Sequence, residues 1–209
     1  GYNIATNISN DERFNTMLGF SETDVRRMIT YYQQHGLMQN DLEAMITEMK
    51  PWYDNYCFAK NCLKDPRMFN CDMTLYYLNN QLDLNCAPEE MADVNIRTDY
   101  TKLQMLVKMD KQSDRLSVIQ EIADKGYLDM RLVTSFPSEE IADGDNFTSL
   151  IYYYGMLTIT GTYRGLLRMG IPNNCVREQY YQYLLKYFDG RKMMDMKRYS
   201  DLMVAFAYD

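Results

Sequence analysis

The chain has 209 residues, of which 46% are hydrophobic and 24% are charged, and its formal net charge is −7. This length and apolar content are enough for one or two folded domains and exclude a disordered chain. The acidic balance argues against extensive nucleic-acid binding, and no apolar run approaches the roughly 20 residues of a membrane span. Because the sequence also shows no signal peptide, we expect a cytoplasmic protein.

The cysteines favour a reduced protein without a metal centre. Their spacing lacks the paired C-x-x-C pattern of a zinc site, and the sequence has a single histidine, His35. Buried, reduced thiols are therefore the expected state. The five cysteines are Cys57, Cys62, Cys71, Cys86 and Cys175.

The first two predicted helices have clear ends. Ser21 and Asp24 stand at the spacing of a capping box, and Gly36 is a stop signal for the helix that follows. The second helix is predicted to begin near Asp41 and to end at Pro51. Their apolar stripes are Val25, Met28, Ile29 and Tyr32 in the first helix, and Leu42, Met45, Ile46 and Met49 in the second.

An aromatic segment, WYDNYCF at residues 52–58, follows the second helix. Its polar residues and the preceding proline predict an ordered loop. We favour a hydrophobic plug between helices over a ligand site, and we expect Trp52 to be largely buried.

Further along, Asp72 is predicted to cap a third helix, and a polar loop over residues 83–98 separates it from a fourth. The apolar positions are Leu75, Leu78 and Leu82 in the third helix, and Tyr100, Leu103, Leu106 and Val107 in the fourth.

The second half alternates helices with short strands. A helix closed by Gly126 precedes YLDMRLV, whose alternation of apolar and charged residues predicts a strand. A helix ending at Gly155 then leads into two strands, MLTI and LLRMGI, joined by a turn around Gly161 and Gly165. The apolar positions of the two helices are Leu116, Ile119, Ile122 and Ala123, then Phe147, Leu150, Ile151 and Tyr154.

Pro172 breaks the second strand, and Asn173 or Asn174 is predicted to cap a long final helix. The order helix, hairpin and helix is the layout of a winged helix. We therefore predict a mainly α fold, in which a helical bundle is followed by a winged-helix-like domain with a small β-hairpin. The expected divisions are residues 1–110, 111–190 and 191–209.

The predicted hairpin raises the question of nucleic-acid binding. In a DNA-reading winged helix, the helix before the hairpin enters the major groove and carries basic or amide side chains. Here that helix, FTSLIYYY, contains no basic residue, so sequence-specific reading is disfavoured. Residues 161–200 nevertheless hold eight basic and three acidic side chains. The candidates for phosphate contact are Arg164, Arg168, Lys186 and Arg191.

Four segments carry a resemblance to a known family. They are NISNDERFNTMLGFSETDV, WYDNYCF, DVNIRTDY and NFTSLIYYYGMLTITG continuing to LLRMGIPNNCVRE, in this order. The chain resembles the C-terminal part of predicted AAA-ATPase-like proteins common in gut bacteria, which typically read G-F-T-E-E-E-V, W-Y-D-G-Y-x-F and Y-x-G-x-L-T-I leading to I-P-N. The resemblance spans roughly residues 2–190. Ser21 and Asn55 stand where Thr and Gly are usual.

The resemblance implies a full-length parent that binds ATP and Mg²⁺ and is often fused to a PD-(D/E)XK nuclease-like domain. The sequence contains neither a G-x-x-x-x-G-K-[ST] motif nor the acidic E-x-K signature of such a nuclease. The chain instead resembles the helical lid and winged-helix part that packs against the nucleotide-binding domain. The final segment, MKRYSDLMVAFAYD, resembles the beginning of a following domain. We therefore expect no cofactor and no enzymatic activity in this chain itself.

A lid of this kind often contributes a basic side chain to the nucleotide pocket. Arg13, Arg26 and Arg27 are candidates by position, although solvated helix charges are the favoured interpretation of each. Trp52, Tyr53, Asp54 and Tyr56 are the residues of the family's motif loop.

The sequence is compatible with three functions. The favoured one is a non-catalytic regulatory and structural segment of an ATPase, with a broad apolar face exposed when the segment stands alone. The second is non-specific nucleic-acid contact through the basic C-terminal third. The third is a protein-interaction module with an exposed aromatic loop as its anchor.

Overall fold

A computed structural model describes residues 8, 10–93, 115–134 and 144–190. Within these residues the protein is mainly α, with six α-helices and two small antiparallel sheets, which confirms the predicted class. The predicted helix around residues 100–107 lies outside the described residues. The helices are α1 (Glu22–Gln34), α2 (Leu42–Tyr53), α3 (Cys71–Leu84), α4 (Arg115–Lys125), α5 (Gly144–Tyr153) and α6 (Asn174–Gly190). The strands are β1 (Phe20–Ser21), β2 (Met68–Phe69), β3 (Tyr127–Met130), β4 (Thr158–Tyr163) and β5 (Leu166–Gly170).

Local signals fix most helix ends as expected. Ser21 and Asp24 form the predicted capping box at the start of α1. The Asp41 carboxylate accepts the Ala44 backbone N–H at 2.8 Å at the start of α2, and Asn173 accepts the Val176 N–H at 3.2 Å in front of α6. The glycines expected to end three helices all adopt a positive φ, which frees the chain to turn away: Gly36, Gly126 and Gly155.

Two predictions about the helices are wrong. The second helix does not end at Pro51 but continues to Tyr53, because the fixed φ of proline is close to the helical value and the Asp54 N–H still bonds to the Lys50 carbonyl at 3.2 Å. The third helix is capped by Asn70 rather than Asp72, since the Asn70 side chain accepts the Met73 N–H at 3.0 Å.

The buried face of α3 also differs from the predicted leucine stripe. Leu78 is buried, Leu82 is half-buried, and Leu75 is exposed. The true face includes polar Gln81, which is tolerated in the core because its amide bonds to Tyr77 at 3.1 Å and to Asn40. The residues of this face are Met73, Thr74, Tyr77, Leu78 and Gln81.

The larger sheet has the strand order β3-β5-β4, with both pairings antiparallel. Strands β4 and β5 form the predicted hairpin, but the turn consists of Arg164 and Gly165 alone. Gly161 lies instead at an irregularity in β4, where the register shifts by one residue. Both turn residues have a positive φ, 49° and 83°, which is typical of a type I′ hairpin turn.

Two hydrophobic clusters form the core, and each draws residues from both halves of the chain. The first cluster lies among α1, α2 and α3 and also includes Cys175 from α6. The second cluster lies among α4, the larger sheet, α5 and α6 and also includes Cys57, Ala59 and Cys62. Because each half of the chain contributes residues to the cluster of the other half, the helical half and the hairpin half form one packed body.

Candidate functional site

The aromatic segment at residues 52–58 lies between the two clusters. Trp52 and Tyr53 form the last turn of α2, and the chain then runs extended so that Tyr56 pairs with Met68 through two backbone hydrogen bonds of 3.0 and 3.1 Å. Tyr53 and Tyr56 are buried, and burial raises the pKa of Tyr56 to about 12. Trp52 is partly buried and packs against the first cluster, so it is covered less completely than the two tyrosines. Tyr53 and Tyr56 are therefore the most deeply buried aromatic side chains of this segment.

Hydrogen bonds tie this segment to the hairpin half of the chain. The Asn55 side-chain amide donates to the Pro172 carbonyl at 2.9 Å, and the Asn173 amide donates to the Asp54 carbonyl at 3.2 Å. The Cys57 N–H donates to the hydroxyl of Thr158 at 2.7 Å. Asn55 has a φ of 88°, a conformation that asparagine tolerates better than most residues. The segment is thus a structural joint between the two halves.

Asp54 carries the only carboxylate of this segment. It is partly buried and accepts the Asn55 N–H at 2.6 Å. Burial raises the pKa of this carboxyl above its ordinary value. These contacts hold the turn at the end of α2, and they give Asp54 a role in backbone geometry.

The three arginines considered for a nucleotide pocket have different surroundings. Arg13 donates to Asp11, with a closest distance of 2.5 Å between its Nη2 and the carboxylate. Arg26 bonds to Glu22 at 2.7 Å and to Glu43 at 2.5 Å. Arg27 is exposed on α1. The structure does not bring these three side chains together in one shared ion-pair network.

Of the four basic residues considered for phosphate contact, the structure describes the side chains of Arg164 and Arg168. Arg164 is exposed at the hairpin tip, with its guanidinium 5.2 Å from the centre of the Tyr163 ring. Arg168 bonds to Asp129 through two nitrogens, each at 2.8 Å, and lies over the Tyr127 ring at 4.3 Å. Lys186 lies in α6, but its side chain is outside the described positions, and Arg191 lies outside the described residues.

The hairpin packs through its apolar side chains. Leu157, Ile159 and Met169 are buried in the second cluster, whereas Leu166 is half-buried. In the helix before the hairpin, α5, a run of four residues from Asn146 to Ser149 is buried. Further along this helix, Tyr152 is buried and donates from its hydroxyl to the Phe58 carbonyl at 3.0 Å. Protein therefore covers most of the helix that would read bases in a DNA-binding winged helix.

Buried polar residues that the sequence did not single out hold the aromatic segment in place. Asn15 is 2% exposed, and its side-chain oxygen accepts the N–H groups of Phe58 at 2.8 Å and of Ala59 at 3.0 Å. Thr158 is 1% exposed and bonds to Cys57. Neither residue stands in a local pattern that predicts burial, because each is buried by contacts distant in the sequence.

An apolar surface lies next to this joint. Two adjoining grooves of about 460 and 190 Å³ share Met17, Leu18, Phe58 and Gly155 in their walls. Five large apolar side chains in their walls are 40–59% exposed. We call this surface the apolar face and define it by Ile8, Met17, Leu18, Tyr153 and Tyr154.

Within residues 8, 10–93, 115–134 and 144–190, no group of three or more His, Cys, Asp or Glu side chains could hold a metal ion. All five cysteines are free thiols; Cys86 is exposed, Cys71 is half-buried and the others are buried. None of the described helices is both long enough and apolar enough to cross a membrane.

The chain matches no protein-family model, no curated protein and no solved structure. The resemblance to the AAA-ATPase-like proteins therefore remains a prediction from the quoted segments.

Proposed function

We propose that this chain is a non-catalytic regulatory and structural segment of a AAA-type ATPase, consisting of a helical lid and a winged-helix-like part. Its function is to pack against the nucleotide-binding domain of the same protein. ATP and Mg²⁺ belong to that domain, and a nuclease-like domain following this segment is a further expected neighbour. The segment on its own hydrolyses neither ATP nor DNA.

The strand pairing supports the winged-helix-like interpretation. The chain runs through α4, β3, α5 and the β4–β5 hairpin, and β3 pairs with β5 rather than with β4. In a winged helix the first strand likewise pairs with the last strand of the hairpin. The buried beginning of α5 favours a packing role for this part over base reading.

The observation that carries the proposal is the apolar face. Met17 and Leu18 are 59% and 58% exposed, and Tyr154 is 52% exposed beside them. Large apolar side chains that border adjoining grooves are typical of a protein-interaction surface. In the resembled family the nucleotide-binding domain precedes this region.

The test is to mix this chain with the domain encoded directly upstream of it in its natural reading frame. We expect that domain to contain a P-loop and to bind the chain, as measured by isothermal titration calorimetry. The Met17→Asp, Leu18→Asp double variant should weaken binding at least tenfold, because two buried apolar contacts would be replaced by charges.

The matched control is the Leu37→Asp, Leu84→Asp double variant, since these leucines are 57% and 67% exposed and border neither groove of the apolar face. It should bind as the unmodified chain does. An upstream region without a P-loop would contradict the proposal, and so would equal weakening by the two double variants.

A further inference from the structure

We propose that a groove beside the hairpin binds the phosphodiester backbone of a nucleic acid through Lys60, Arg131 and Arg164. Of the four basic residues that the sequence suggested, this site includes only Arg164, and it does not depend on the proposed packing role of the apolar face.

The groove has a volume of about 750 Å³ and lies at the end of the larger sheet where the hairpin turns. Lys60 from the short 3₁₀ turn Lys60–Cys62 and Arg131 from the end of β3 both line it. Gly165 of the hairpin turn also lines it, and Arg164 directly precedes Gly165 in that turn. Two separate parts of the chain therefore bring one cation each to the groove, and the hairpin turn carries a third cation next to a residue that lines it.

These three cations are available for a ligand. Lys60, Arg131 and Arg164 are all exposed, and within the described part of the chain none of them forms an ion pair. By contrast, Arg168 on the same sheet forms an ion pair with Asp129.

Two carboxylates follow the groove-lining residue Asn10 in the sequence. Asp11 is paired with Arg13 at 2.5 Å, whereas Glu12 accepts from the neutral Asn61 amide at 3.2 Å and keeps its negative charge. None of the residues that line the groove carries a carboxylate. In a chain whose formal net charge is −7, the described lining of this groove therefore carries only positive formal charge.

The conformation of Arg164 adds a separate observation. Its φ of 49° belongs to the left-handed region, which Gly, Asn and Asp favour at this turn position and which a long side chain disfavours. The backbone conformation of Arg164 therefore costs some stability. Residues with strained backbones of this kind are common at ligand-binding sites.

The shape of the site favours a phosphate chain over base edges. The beginning of α5 is buried and offers no surface to the major groove. An open groove of this volume that is lined by Lys60 and Arg131 suits a run of linked phosphates, which bind without sequence preference and with strong salt dependence.

The experiment measures binding of the chain to a fluorescently labelled 20-base-pair duplex by anisotropy, from about 50 to 200 mM salt. Three phosphate contacts predict a slope of about −2.7 in the plot of log affinity against log salt, and thus a loss of about 40-fold across this range. The Lys60→Gln, Arg131→Gln, Arg164→Gln triple variant should lose at least tenfold in affinity at 50 mM salt, and its slope should approach zero.

The matched control is the Arg27→Gln, Lys64→Gln, Arg177→Gln triple variant, which removes the same charge from exposed residues outside the groove. It should keep the slope of the unmodified chain. The single variant Arg164→Asn suits the turn conformation and should lower the slope by about 0.9 with the fold intact. Circular dichroism checks the fold of each variant.

Four outcomes would overturn the proposal. The first is no binding at about 50 mM salt, and the second is an equal loss in the two triple variants. The third is full displacement of the duplex by millimolar inorganic phosphate, which would indicate a simple anion site. The fourth is tighter binding of a phosphoserine peptide than of the duplex, which would indicate a protein ligand.

Discussion

Asn15 shows how much one buried amide contributes to the position of the aromatic segment. Its side-chain oxygen accepts two backbone N–H groups, those of Phe58 and Ala59. Asn15→Ala leaves both donors without a partner inside the protein, where each unsatisfied donor costs about 1–3 kcal/mol. We expect the free energy of unfolding to fall by about 2–4 kcal/mol in urea denaturation. Asn79→Ala, at an exposed position of α3, is the control and should change it by less than about 0.5 kcal/mol.

The Asp129–Arg168 pair predicts a pH dependence. The hydrogen bonds from Arg168 hold the pKa of the Asp129 carboxyl below its ordinary value of 3.8. Because the folded-state pKa is depressed, the pair contributes stability above pH 3.8, and this contribution is lost as the pH falls through the folded-state pKa.

Asp129→Asn should therefore destabilise the protein at neutral pH, and the difference from the unmodified chain should shrink below pH 3.8. Thermal unfolding between pH 2.5 and pH 7 measures this difference. Asp124→Asn, at an exposed position of α4, should show no comparable trend. A constant difference across the whole range would mean that the ion pair does not stabilise the fold.

At the scale of secondary-structure elements, the hairpin turn offers two opposite substitutions. Gly165 has a φ of 83° and open space where a Cβ would stand, so Gly165→Ala introduces backbone strain without a clash. It should lower the free energy of unfolding by about 1 kcal/mol. Arg164→Asn places a residue that favours the left-handed region at the neighbouring position and should raise stability by up to about 1 kcal/mol.

Urea denaturation of both turn variants measures the two effects. If Arg164→Asn destabilised the protein as much as Gly165→Ala does, contacts of the arginine, such as the one with the Tyr163 ring, would outweigh the strain.

The sequence predicts those elements whose signals are local. Ser21 caps α1 through a residue three positions away, and Gly36 ends it through its own conformation, so both could be read directly. The face of α3 could not be predicted in this way, because the buried Gln81 accepts a hydrogen bond from Asn40, which lies 41 residues earlier in the sequence. The irregularity at Gly161 depends likewise on its pairing with β5.

The same distinction applies to the candidate sites. The aromatic composition of residues 52–58 distinguishes this segment in the sequence, but its hydrogen-bond partners Asn15 and Thr158 lie far from it along the chain. The groove beside the hairpin could not be predicted either, because Lys60 and Arg131 belong to different halves of the chain and meet only in the folded protein. Local sequence patterns predict individual helices, strands and loops. Which residues share a surface depends on tertiary contacts between segments that are distant in the sequence.

At the scale of the whole molecule, both core clusters contain residues from both halves of the chain. We therefore expect the protein to unfold as a single cooperative unit. Thr158 is 1% exposed, and its hydroxyl accepts the Cys57 N–H across the joint at 2.7 Å. Thr158→Val leaves this donor unpaired and should lower the free energy of unfolding by about 1–3 kcal/mol. Thr162→Val, at an exposed position of the same strand, is the control and should have little effect.

Two probes can report on the two halves separately. Trp52 is the only tryptophan, and it packs against the first cluster, so its fluorescence follows the helical half. Hydrogen exchange of peptides from β5 and α6 follows the hairpin half. We expect both probes to give the same urea midpoint, and we expect Thr158→Val to lower both midpoints together, because a domain with a shared core unfolds in one transition. Two separate midpoints, with Thr158→Val moving only the hairpin half, would instead show two independent domains and support the predicted division at residues 110 and 111.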